Sequence, residues 1–275
     1  MIIGQINRLR IDRMTSPGAY LTDTDGNDVL LPSKYIPPRS KIGNNIEVFI
    51  YRDSEDRVIA TTLTPFIKLN EFGFLKVKDV TKFGAFLDWG IEKDLLVPFR
   101  EQIGKMIQGK SYLVYLYLDE QTQRLVATQK IKSYLEKEKI LLEEGAEVNL
   151  LIGETTELGT KVIIENKYEG LLFKNEVFED LLIGDRVKGY VKKIREDKKI
   201  DVSLQKTGLE NLEAGAQKIM DLLDEEDGFV NLSDKSSPEE IQFMLQMSKK
   251  NFKRSLGILY KKRLVLIENS GIRKL

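Results

Sequence analysis

The 275-residue chain contains neither cysteine nor histidine. Without cysteine there are no disulfides, no thiolate metal sites and no sulfur nucleophile. Without histidine the chain lacks the commonest general base near neutral pH and the commonest ligand for catalytic transition metals. Carboxylate pairs, Ser-Lys dyads and Mg²⁺ sites are the catalytic options left, and no acidic cluster with a recognisable spacing stands out for them. A binding protein is therefore expected rather than an enzyme, with no cofactor and no metal. No run of apolar residues is long enough to cross a bilayer. The start, Met1-Ile2-Ile3-Gly4-Gln5, lacks a basic segment followed by an apolar one, so a cytoplasmic location without membrane contact is expected. Glycine-rich phosphate loops followed by lysine are missing. The acidic runs at Asp53, Glu55, Asp56 and at Asp224 to Asp227 lack calcium-loop spacing and read as solvated turns.

One pattern occurs three times. Pro17-Gly18-Ala19-Tyr20 precedes Leu30-Leu31-Pro32, Phe83-Gly84-Ala85-Phe86 precedes Leu96-Val97-Pro98, and Leu158-Gly159-Thr160-Lys161 precedes Leu171-Leu172-Phe173. Each glycine stands 14 residues before the end of its apolar triplet. An acidic turn follows 35, 35 and 37 residues after the glycine, at Asp53, Asp119 and Glu196. Repeats of this period point to stacked or tandem modules. Within each copy, short alternating segments are separated by turn residues, and Leu75 to Val80 shows the alternation of a half-buried strand. Five short strands with a small helix between the third and fourth describe an OB-type Greek-key barrel. In the second copy that helix is expected between Pro98 and Gly109. The expected barrels are 1–64, 70–128 and 145–206. The segment Gln129 to Glu144 has no glycine or proline and is rich in Lys, Glu and Leu, so it is expected to be a helical connector.

Residues 209–275 change character. A helix is expected from Ala214 to Leu223, with Ile219, Leu222 and Leu223 on one side. Ser237-Pro238-Glu239-Glu240 is a capping box that should open a helix through Gln246. Ser248 should cap another from Lys249 to about Lys262, with Phe252, Leu256, Leu259 and Tyr260 on one face. Leu264 to Ile267, Asn269-Ser270-Gly271 and Ile272 to Leu275 read as a hairpin. Helix, helix-turn-helix and hairpin is the order of a winged helix. The zero net charge hides a split: 209–247 hold ten acidic and two basic residues, and 248–275 nine basic and one acidic. That split fits a polyanion contact at the basic end, or two helices with solvated charged faces.

The copies resemble the ribosomal protein S1 RNA-binding domain, most closely through Phe83-Gly84-Ala85-Phe86-Leu87-Asp88 with Leu95-Leu96-Val97 and the Asp119 turn. Three such barrels followed by a winged helix resemble the conserved virulence factor B family of bacterial RNA-binding regulators. The resemblance implies a mainly β fold with α, of three tandem S1-like OB-fold barrels and a winged-helix domain. It also implies a single-stranded RNA face on the second and third strands of each barrel, with Phe83 and Phe86 as stacking aromatics. Where S1 domains usually have histidine on the next strand, this chain has Pro98, Pro32 and Phe173.

An exposed ring offers unstacked bases a flat surface, worth about 1–3 kcal/mol per base whatever the sequence. If Phe86 points outward, Ala85 and Leu87 point into the barrel, and Trp89 shares the inward set. Packing of Phe83 and Phe86 on the neighbouring barrel or the connector is the alternative. Copy one keeps Tyr20 but has Pro17, so one base is expected there. Copy three has Leu158 and Lys161 and loses the stacking platform; Lys161 with Lys188, Lys192, Lys193, Arg195, Lys198 and Lys199 could instead track phosphates, or only solvate a strand and turn. Lys250, Lys253, Arg254 and Lys261 form a basic stripe opposite Phe252 and Leu256, fit for a major groove, RNA phosphates or a protein partner. Gly257 reads as a close-packing site between helices rather than a phosphate contact. Non-catalytic binding of single-stranded RNA in post-transcriptional regulation is the expected function. Duplex DNA or protein docking through the winged helix are the alternatives.

Overall fold

The computed structural model describes residues 1–174, 177, 180–205, 209–268 and 270–275. They form two compact units, Met1–Leu135 and Glu136–Leu275. The first unit holds two five-stranded modules. In the first, β1 (Ile6–Thr15), β2 (Gly18–Thr22), β3 (Asp28–Pro32), β4 (Asn45–Arg52) and β5 (Val58–Thr61) close into a barrel of order β1-β2-β3-β5-β4. In the second, β6 (Phe72–Thr81), β7 (Gly84–Asp88), β8 (Leu95–Pro98), β9 (Ser111–Asp119) and β10 (Arg124–Thr128) follow the same cyclic order. Here β8 and β10 run side by side without a hydrogen-bonded ladder between them, so the barrel is open along that seam.

The glycine that marks each copy explains its geometry. Gly18 pairs with Pro32, and Gly84 with Pro98. A Cβ on Gly18 would lie 2.1 Å from the Leu31 carbonyl oxygen, and one on Gly84 2.2 Å from that of Val97. Only glycine lets the second and third strands cross so closely. Alternation from that point sends Ala19, Leu21, Ala85 and Leu87 inward, all fully buried.

The two barrels of this unit share a core. Phe49 and Tyr51 on β4 pack with Trp89 and Ile91, and the Phe49 and Trp89 rings meet edge to face at 5.5 Å. Trp89 is thus core as expected, but core between barrels. Polar clasps flank it: Lys34 and Tyr35 bind Glu92 at 2.6 and 2.7 Å, Arg124 binds Asp56 through two nitrogens, and the Lys93 ammonium donates to the Arg52 and Asp53 carbonyls, both at 2.8 Å.

Two expected helices do not form. Between Pro98 and Gly109 there is a single 3-10 turn, Phe99–Glu101. Met106 is buried, but Ile103 and Ile107 are exposed, so no helical face exists to bury. The segment Gln129 to Glu144 holds only the 3-10 turn Ile131–Ser133. Its backbone donors go elsewhere: Glu136 N–H to the Lys167 carbonyl and Leu141 N–H to the Tyr168 hydroxyl. Tyr134 stacks on Tyr115 with centroids 4.1 Å apart. Tertiary partners override the helix propensity of the composition.

In the second unit, β11 (Glu147–Thr155), β12 (Gly159–Ile164), β13 (Tyr168–Phe173), β14 (Arg186–Ile194) and β15 (Ile200–Ser203) close into a third barrel of the same order. Gly159 pairs with Phe173, and its Cβ would lie 2.2 Å from the Leu172 carbonyl oxygen. Then follow α1 (Leu209–Glu225), β16 (Phe229–Val230), α2 (Pro238–Leu245), α3 (Lys249–Lys261), β17 (Val265–Glu268) and β18 (Gly271–Lys274), with sheet order β16-β18-β17. The capping box forms: the Ser237 hydroxyl accepts from Glu240 N–H at 3.1 Å, and the Glu240 carboxylate from Ser237 N–H at 2.7 Å. Ser248 caps α3 through Asn251 N–H at 3.1 Å. Gln246 takes the left-handed conformation between the helices, φ 48°. Ile219, Leu223, Ile241, Phe252, Leu256 and Leu259 make the core. Tyr260 departs from expectation and is exposed, because eight helical steps carry it about 80° round from Phe252. The hairpin residue Asn269 and the barrel limit at 206 lie outside the described residues.

Candidate nucleic-acid interface

In the second barrel, the pairing of Thr81 with Gly84 leaves Lys82 and Phe83 as a two-residue loop. Phe83 therefore sits at the hairpin tip, 63% exposed, with the Lys82 ammonium 5.1 Å from its ring. Its N–H donates to the Thr81 hydroxyl at 3.2 Å, which holds the loop. Along β7, Phe86 and Asp88 take the outward positions. Phe86 lies half-buried between Asp79 on β6 and Leu96 on β8. A bulge between Val77 and Asp79 sets that register and lets Lys78 reach Asp94 at 2.9 Å. Phe83 does not pack into the body of the protein, so a ring face remains open to solvent.

The same two positions recur in the other barrels. Pro17 and Leu158 occupy the hairpin tips, and both are exposed. Tyr20 and Lys161 occupy the Phe86 position, opposite Leu30 and Leu171. Tyr20 is half-buried, and the Arg13 guanidinium lies 4.0 Å from its ring centroid. Arg13 is itself held by Asp28 at 2.6 Å and Asp12 at 3.1 Å, and the Asp28 hydrogen bond leads in raising its pKa. One face of Tyr20 is thereby covered by a cation.

In barrel three the structure places two of the expected cations beside an aromatic ring. Lys161, Lys192 and Lys193 are exposed. The Lys192 ammonium and the Arg195 guanidinium lie 6.0 and 5.7 Å from the ring of half-buried Phe173. Arg195 is fixed by Asp201 at 2.8 Å, an interaction that raises its pKa. An aromatic flanked by cations thus stands on the third strand rather than the second. Its signal was present: Phe173 replaces Pro32 and Pro98 at the residue paired with the glycine.

The acidic turn that closes the first copy is structural. The Asp53 carboxylate accepts from Glu55 and Arg57 N–H at 2.9 and 3.0 Å, and Asp56 beyond it has φ 63°. This is an Asx-type turn that shapes the β4–β5 connection.

On α3, Lys250, Lys253, Arg254 and Lys261 are all exposed, on the side away from Phe252 and Leu256. The expectation for Gly257 is wrong: a Cβ there would meet no atom within 4 Å. The helix-packing glycine is Gly215 on α1, whose Cβ would lie 2.3 Å from the Ser255 hydroxyl oxygen. Among the described residues no helix is long and apolar enough to cross a membrane.

Barrels with outward aromatic and cationic positions, joined to a winged helix with a basic third helix, define a protein assembled from nucleic-acid-binding module types. Comparison with known proteins agrees. The S1 domain family model matches residues 3–63 and 73–130, and the CvfB-like winged helix domain model matches 217–273. The chain is 30% identical to the protein named Uncharacterized protein YitL of Bacillus subtilis, covering 97% of this chain and 91% of that one. It is 28% identical to Conserved virulence factor B of Staphylococcus saprophyticus, covering 98% and 94%. A solved multidomain protein with nucleic acid binding domains from Streptococcus pneumoniae aligns over 99% of this chain and 98% of its own, at 22% identity and TM-score 0.42. The chain belongs to the conserved virulence factor B family.

Proposed function

We propose that this protein binds single-stranded RNA without catalysing a reaction on it, and acts in post-transcriptional regulation. The observation that carries this reading is Phe83, a phenylalanine 63% exposed at a hairpin tip beside outward-facing Phe86. Such rings suit unstacked bases, which a duplex does not present. Tyr20 offers a ring for one base on the first barrel, and Lys161, Lys192 and Lys193 take phosphates on the third. Lys250, Lys253, Arg254 and Lys261 add contacts to phosphates. We assign these roles to four domains with limits 1–64, 70–128, 145–206 and 209–275. Linked weak sites reinforce one another through effective concentration.

A second reading, duplex DNA held by α3, draws on the basic stripe. A fluorescence anisotropy titration separates them, comparing a single-stranded RNA of about 20 nucleotides with a duplex DNA of the same length at matched salt. Tighter binding to the RNA is expected. Tighter binding to the duplex would overturn the proposal in favour of the second reading. Binding to neither at low salt would overturn both and leave protein docking.

A further inference from the structure

Gly257 stands in the middle of α3, and the fold gives no reason for it. Glycine is the worst helix former after proline, because it loses the most backbone freedom on folding. Two structural needs normally justify a helical glycine, and both fail here. Its φ is not in the left-handed region. It is not a close-packing point either, since a Cβ would meet nothing within 4 Å. Gly215 shows what a packing requirement looks like in the same domain.

What surrounds Gly257 is mainly charge, with the exposed Tyr260 one turn after it. Helical steps of about 100° place Lys253 and Arg254 one turn before it, Lys261 one turn after it and Lys250 two turns before it, all on its own face. All four are exposed, and none is ion-paired among the described residues. The stripe runs for about 16 Å along the helix. At its centre the helix presents bare backbone instead of a side chain. Cations on both sides and a gap between them make a seat for a polyanionic strand, which can approach α3 more closely there than any Cβ would allow.

We infer that Gly257 is the point of closest approach between α3 and the phosphodiester backbone of a bound nucleic acid, the four flanking cations taking its phosphates. This rests on the reading that α3 grips nucleic acid, and goes beyond it by assigning the seat.

The test uses the full chain, the same single-stranded RNA, and two variants. Gly257→Ala is expected to raise the thermal midpoint by about 2–6 °C. It should also weaken RNA binding several-fold and leave the salt dependence unchanged, since the substitution removes no charge. The second variant replaces Lys250, Lys253, Arg254 and Lys261 together by Ala. It should weaken binding and flatten the salt dependence, by up to about 0.7 in logarithmic slope for each phosphate that is no longer neutralised. If Gly257→Ala binds as tightly as the parent while the fourfold variant binds weakly, the seat is refuted and the grip survives. If the fourfold variant binds like the parent, the grip itself is refuted. If Gly257→Ala lowers the thermal midpoint, the glycine serves the fold and the inference fails.

Discussion

Replacing Phe83 and Phe86 together by Ala removes the two rings on which the functional reading most depends. Phe83 is 63% exposed, so its truncation deletes almost no packing and should change stability by no more than about 0.5 kcal/mol. Phe86 is half-buried, so its ring offers a base less surface, and its truncation costs somewhat more stability. A full stacking interaction is worth about 1–3 kcal/mol. Counting Phe83 in full and Phe86 at half gives about 1.5–4.5 kcal/mol, a loss of affinity between roughly tenfold and a thousandfold. No charge is removed, so the slope of affinity against salt should stay that of the parent chain. Anisotropy titrations at three salt concentrations, with a thermal melt of each protein, measure all three quantities. An unchanged dissociation constant in a folded double variant would refute the stacking argument. A changed salt slope would show that the rings act by positioning charges such as Lys82.

Gly84→Ala should disrupt the second barrel, because the new Cβ would lie 2.2 Å from the Val97 carbonyl oxygen and 3.0 Å from the Pro98 Cα, both backbone; urea unfolding should show a loss of about 1–3 kcal/mol or more. Ser237→Ala removes a formed capping box and should cost about 1 kcal/mol by the same measurement. Burial pushes the Tyr51 and Tyr117 hydroxyls up to about 12, above the value of about 10 in an unfolded chain. The folded state holds them neutral, so their contribution to stability is intact below about pH 10 and is lost as pH rises towards 12. Tyrosinate absorbance should show late-titrating groups, missing from the Tyr51→Phe and Tyr117→Phe variants, and the urea midpoint should fall over the same pH range.

The repeat was legible because its spacing encodes a contact. Each marker glycine pairs with the last residue of its apolar triplet, Gly18 with Pro32, Gly84 with Pro98 and Gly159 with Phe173. Two-residue alternation then assigns inside and outside, and burial follows it at Ala85, Leu87 and Trp89. The caps of α2 and α3 were legible for the same reason, being local chemistry. Where the reading failed, the deciding partner lay far along the chain. The connector looked helical by composition, but Leu135 is buried in the first unit while Ile140 and Leu142 pack on the third barrel's core. Gly215 and Gly257 look alike in a helical pattern; only Ser255, forty residues from one of them, tells them apart. The cations beside Phe173 arrive from β14 and the residue that follows it, outside Phe173's own hairpin.

The three copies share a scaffold but not a surface, and the differences fall at just those outward positions the scaffold leaves free. The inward set changes little in kind: Ala19, Ala85 and Thr160 are all small and buried, and Leu21, Leu87 and Val162 are all aliphatic and buried. The outward set at the equivalent place changes from Tyr20 under a guanidinium, to half-buried Phe86, to exposed Lys161. The hairpin tips change from Pro17 to Phe83 to Leu158. Packing constrains the first set in every copy alike, whereas each outward residue answers only to what it meets outside. On the proposed reading, the barrels then divide the labour: one ring partly covered by its own cation, one pair of rings for stacking, and one cationic surface with an aromatic on the adjoining strand. Such a division predicts that alanine variants will separate by type. Removal of Phe83 and Phe86 should act on affinity at every salt concentration, and removal of Lys161, Lys192 and Lys193 should act chiefly at low salt, where phosphate contacts contribute most.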